Sequence, residues 1–83
     1  MSTENIEDNI LRKLGRILHL SKNKNLIIRT LTPPQIGKEV IDMRHQKVGT
    51  VRDVFGPVRN PYVSIKPEVG SPEKYVGKTI YLF

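Results

Sequence analysis

Apolar residues fall in short, strand-length runs separated by polar, proline- or glycine-bearing breaks. Residues 14–20 (LGRILHL) and 25–30 (NLIIRT) are rich in branched side chains and flank the polar Ser21-Lys22-Asn23-Lys24. That pattern predicts an antiparallel hairpin. Pro33, Pro34 and Gly37 end the second run and make residues 31–38 a loop. Residues 39–42 predict a third short strand and Arg44-His45-Gln46 a turn. Residues 48–55 are the longest candidate, but their alternation breaks: Val48, Thr50 and Val54 share one parity, Val51 and Phe55 the other. Successive strand side chains point to opposite faces, so a single flat strand cannot bury them all. A bulge or bend near Gly49 or Arg52-Asp53 is expected. In residues 62–66 the alternation is clean, with Val63 and Ile65 inward and Tyr62, Ser64 and Lys66 outward. After a loop over residues 67–72, Thr79 to Leu82 predicts a closing strand.

Six short strands with turn signals between them predict an all-β barrel or sandwich, and closure into a six-stranded antiparallel barrel would remove the edges an open sheet exposes. Ahead of it, Ile6, Ile10, Leu11 and Leu14 have helix-like spacing. A helix of about a dozen residues is marginal alone. Residues 1–13 are therefore read as a flexible or weakly helical leader and residues 14–83 as the barrel domain.

The connector between the last long strand candidates, Gly56-Pro57-Val58-Arg59-Asn60-Pro61, is unusual. Pro57 and Pro61 fix φ and lack a backbone donor, so neither fits a central strand. Gly56 can take a positive φ, and Asn60 is pushed toward the extended region by the proline after it. The loop is stiff, yet it holds Val58 and abuts Phe55 and Tyr62. An exposed apolar surface with an aromatic and an arginine, Arg59, has the makeup of a protein-binding hot spot.

Composition narrows the chemistry. A chain of 83 residues makes one small domain with little room for an enclosed active site. It has no cysteine, which excludes disulfides, thiolate metal sites and a cysteine nucleophile. Its two histidines, His19 and His45, lie far apart with no third ligand at a metal-binding spacing. Asp42 and Asp53 lack an enclosing site, and Asp53, beside Arg52, is better suited to balancing a local charge or capping a bulge. No glycine run could cradle a phosphate. Neither enzyme, cofactor nor small-molecule substrate is expected. With no apolar run long enough to span a bilayer and a polar, acidic start, a soluble cytoplasmic protein is expected.

The net charge is +6, and residues 9–83 carry 14 basic against 5 acidic side chains. That excess favours a polyanionic neighbourhood. Lys22, Lys24, Arg29, Arg44, Lys47, Arg52, Arg59 and Lys66 are spread over strands and turns. Of these, Arg44, Lys47, Arg52, Arg59 and Lys66 are the candidates for RNA proximity. The three tyrosines, Tyr62, Tyr75 and Tyr81, form no stacking signature in the sequence, so electrostatic attraction outranks base readout.

The stretch DVFGPVRNPYV, residues 53–63, resembles the Gar protein of box H/ACA ribonucleoproteins (the Gar/Naf family) in its archaeal form. The likeness extends through Leu14-Gly15-Arg16-Ile17-Leu18-His19, Leu26-Ile27-Ile28-Arg29, Val40-Ile41-Asp42 and Val48-Gly49. It implies a six-stranded barrel resembling the second domain of translation elongation factors, with no catalytic activity. It further implies binding to the catalytic domain of a pseudouridine synthase, and an effect on substrate RNA loading and release in rRNA pseudouridylation. Guide and substrate RNA would be met through the complex. By motif position, the expected synthase contacts are Val54, Phe55, Gly56, Pro57, Val58, Pro61 and Tyr62. The sequence has no glycine/arginine-rich tract of the eukaryotic kind, so the properties of such tails do not carry over. A stand-alone RNA-binding barrel of translation-factor type is the alternative.

Overall fold

In a computed structural model that describes residues 12–82, six strands close on themselves in the order β1-β2-β5-β4-β3-β6. The strands are β1 (Arg12–Leu20), β2 (Leu26–Arg29), β3 (Glu39–Ile41), β4 (Lys47–Phe55), β5 (Tyr62–Pro67) and β6 (Thr79–Leu82). All pairings are antiparallel, and each strand has a neighbour on both sides, so no edge is left free. One 3₁₀ turn, Pro72–Tyr75, interrupts the passage from β5 to β6 where only a loop was expected. β1 begins at Arg12, two residues ahead of the run read from the sequence. Leu14 points into the core from β1, whereas Ile6, Ile10 and Leu11 lie outside the described residues.

The interior is filled from every strand: Leu14 and Ile17, Leu26 and Ile28, Val40, Val48 and Val51, Val63 and Ile65, Ile80 and Leu82. These branched side chains favour χ1-restricted, pleated backbone and interdigitate without polar atoms. The β1–β2 hairpin turns through Ser21 and Lys24, whose N–H groups form the Ser21 N–Asn25 O and Lys24 N–Ser21 O bonds, both 2.8 Å.

The parity conflict in β4 is resolved by irregular register on both sides. Against β5, Val51 pairs with Ile65 but Asp53 with Ser64, leaving Arg52 as an extra residue. Against β3, Val48 is skipped between Lys47 and Gly49. Val48 and Val51 can therefore both point inward, while Arg52, Asp53 and Phe55 face out. Asp53 Oδ1 accepts the Val54 N–H at 2.8 Å, tying the chain just past the extra residue. Ser64 faces outward by register yet is only 7% exposed, being small and set between Ile27 and Asp53 on the neighbouring strands.

Candidate functional site

Because the strands alternate in direction, the connector 56–61 and the β2–β3 loop share one end of the barrel. The β3–β4 turn and the 3₁₀ segment lie toward the other. At the connector end β4 and β5 run to their last paired residues, Phe55 and Tyr62. Their rings stack with centroids 5.6 Å apart at 24°. The Arg29 guanidinium lies over the Tyr62 ring at 5.0 Å, a cation–π contact, and its Nε donates to Asn60 O at 3.4 Å. Gly56 has φ +91°, the left-handed conformation that lets the chain leave β4 beneath this stack. A turn follows, closed by the Asn60 N–H donating to Pro57 O at 3.3 Å.

The stiff loop holds its apolar group in solvent. Val58 is 96% exposed and Phe55 44%, with Gly56, Pro57 and Arg59 exposed beside them. Tyr62 is half-buried under Arg29. Two of the sequence-predicted contacts sit differently. Val54 packs against the core, and Pro61 is buried, its carbonyl accepting the Thr30 N–H at 3.1 Å. The β2–β3 loop at this end adds Leu31 and Ile36, 75% and 65% exposed and not among the expected contacts. Their signal was the same as the connector's: Pro33 and Pro34 stiffen a loop that carries branched apolar side chains.

The basic candidates do not converge. Arg44 stands on the β3–β4 turn and Arg59 on the connector, at opposite ends of β4. Lys47 is engaged by Glu39 at 3.4 Å and Glu68 at 3.1 Å. The hydrogen bond with Glu68 holds its ammonium above the ordinary lysine pKa. Arg52 and Lys66 are exposed on the outer face of β4 and β5. The structure instead sets two tyrosines along one groove, an arrangement their spacing in the chain does not predict. Tyr75 and Tyr81 line one groove of about 490 Å³ with Arg44 and Lys78.

Among the described residues no three His, Asp or Glu side chains gather as a metal-binding group. No helix among them is long and apolar enough to cross a membrane.

Residues 11–83 match the family model described as the Gar1/Naf1 RNA binding region. An uncharacterized protein of Methanothermobacter thermautotrophicus is 41% identical over 76 residues, covering 87% of this chain and 83% of the relative. An uncharacterized protein of Methanocaldococcus jannaschii is 43% identical over 51 residues, covering 61% of this chain and 62% of the relative. A solved structure of the Gar1 domain of Naf1 has the same fold, with a TM-score of 0.69 at 23% identity over 88% of this chain and 85% of the other.

Proposed function

Since the chain belongs to the Gar1/Naf1 family in its archaeal form, we propose that it is a non-catalytic subunit of a box H/ACA ribonucleoprotein, working in the cytoplasm and docking through the connector on the catalytic domain of the pseudouridine synthase. The observation that carries this reading is Val58, 96% exposed at the tip of a proline-braced loop next to a stacked aromatic pair. Burying one such side chain is worth about 1.5–3 kcal/mol. A loop already fixed by Pro57, Pro61 and the Arg29 contact loses little further entropy when it binds. Phe55, Pro57 and Val58 would make the apolar centre, with Arg59 and Arg29 at the rim, an arrangement typical of hot spots.

Docking influences substrate RNA by linkage. A subunit that contacts the substrate-covering loop of the synthase more favourably in one position shifts that loop's equilibrium by the difference in contact energy. Loading and release of substrate would then depend on the barrel without any barrel residue touching the reacting base.

Calorimetric titration against the synthase catalytic subunit tests the reading. Val58→Glu should weaken binding by about tenfold or more, as expected for a charge forced into an apolar centre, with the thermal unfolding of the isolated chain unchanged. Unaltered affinity removes the connector from the interface. The stand-alone RNA-binding alternative expects measurable affinity for guide or substrate RNA without the synthase, falling steeply with salt, and no titration of the synthase by the chain.

A further inference from the structure

The groove of about 490 Å³ is lined by the β3–β4 turn (Asp42, Met43, Arg44, Gln46), by Tyr75 and Lys78, and by Thr79 and Tyr81 of β6. Its volume is that of a small-ligand site of about 300–1,000 Å³. The β1–β6 register extends its chemistry. Lys13 pairs with Tyr81 and Arg16 with Thr79, and directly opposed residues in an antiparallel pair share a face. Lys13 and Arg16 are both exposed, so they flank the outward side of β6. Arg44 and Lys78 thus line the groove beside Tyr75 and Tyr81, and Lys13 and Arg16 add two cations on β1 opposite Tyr81 and Thr79.

The one carboxylate lining the groove is partly occupied. Asp42 Oδ1 accepts the N–H groups of Arg44 and Gln46 at 2.8 and 2.9 Å, which holds the turn and sets the Arg44 backbone. Lys78 Nζ lies 5.7 Å from the Tyr75 ring centre, leaving Tyr81 and the 74%-exposed Met43 as flat or pliable apolar surface. Cations around an aromatic platform suit a phosphodiester strand with unpaired bases, since bases stack on aromatic faces while Lys and Arg follow the phosphates.

From this juxtaposition we infer that the β3–β6–β1 flank is a binding site for single-stranded RNA, with Tyr81 the stacking platform and Lys13, Arg16, Arg44 and Lys78 the phosphate contacts. In the strand order β6 stands opposite β5, and the groove's turn lies at the barrel end away from the connector. The barrel can therefore hold RNA on one side while its connector is occupied. The site goes beyond the docking reading and does not depend on it.

Fluorescence anisotropy of a labelled oligouridylate titrated with the whole chain alone, without any synthase, tests this. The pair Arg44→Glu with Lys78→Glu should lower affinity about tenfold or more, and Arg52→Glu with Arg59→Glu, an equal change in net charge away from the groove, by no more than about threefold. Ultraviolet crosslinking of the wild-type complex should place uridine on peptides bearing Tyr81 or Tyr75. Equal losses from the two charge pairs, crosslinks confined to the connector end, or no saturable binding at low salt would each overturn the site. None of these outcomes bears on whether the connector binds the synthase, so the two readings fail separately.

Discussion

A Cβ atom placed on Gly56 would lie 2.9 Å from Cδ2 of Tyr62. The backbone there also has φ +91°, which L side chains rarely adopt. The glycine therefore lets the chain pass close beneath the ring that Arg29 and Phe55 hold from other sides. Gly56→Ala should destabilise the domain by about 1–3 kcal/mol through strain and crowding. Thermal denaturation measures it. Wild-type stability would mean that the Tyr62 ring shifts freely, contrary to a rigid connector.

Gly49 faces a harder obstacle, because an added Cβ would overlap the backbone carbonyl oxygen of Lys66 on β5. Unlike a side-chain end, that carbonyl belongs to the ladder and cannot swing away. Gly49→Ala should lower stability by more than Gly56→Ala, about 3 kcal/mol or more, or prevent folding. Urea denaturation of both variants gives the order. The reverse ranking would place the close β4–β5 approach elsewhere.

Arg29 and Tyr62 form a pair whose coupling is measurable. An exposed cation–π contact is worth about 0.5–1 kcal/mol. A double-mutant cycle with Arg29→Met and Tyr62→Leu should return a coupling of that size from chemical denaturation. A coupling indistinguishable from zero would show that the guanidinium is held by Asn60 O alone.

Glu68 links stability to pH. Its carboxyl accepts the Thr50 hydroxyl at 2.6 Å, and that bond first, then the one from Lys47, holds its pKa below the ordinary 4.5. A group whose folded pKa is depressed contributes stability above its unfolded pKa and loses it as the pH falls through the folded one. Lys47, raised above 10.5, loses its share only on the alkaline side. The stability gap between wild type and Glu68→Gln should stay level near neutrality and narrow as the pH is lowered below 4.5. A gap that persists unchanged into strong acid would separate Glu68 from this contact.

Most of the strands were legible in the sequence because each buries one face, and burial writes a period of two into the residues. The bulge at Arg52 was legible for the same reason: Val48, Val51 and Val54 cannot share a face of a flat strand. The 3₁₀ turn Pro72–Tyr75 was not, since its polar residues bury nothing that leaves a pattern. Exposure of Val58 followed from the prolines, but burial of Pro61 depends on the bond its carbonyl accepts from Thr30, thirty-one positions away in the sequence. The groove was hidden most completely. Lys13 meets Tyr81 only because the first and last strands pair to close the barrel, and register between such distant segments is not written in either alone.

Hydrogen exchange of the chain, free and bound to the synthase catalytic subunit, tests the docking reading most directly. The reading predicts slowed exchange at the N–H groups of Phe55, Gly56, Val58, Arg59 and Tyr62, with Tyr75, Lys78 and Tyr81 unaffected. Protection on the groove side with the connector N–H groups exchanging as in the free chain would contradict it.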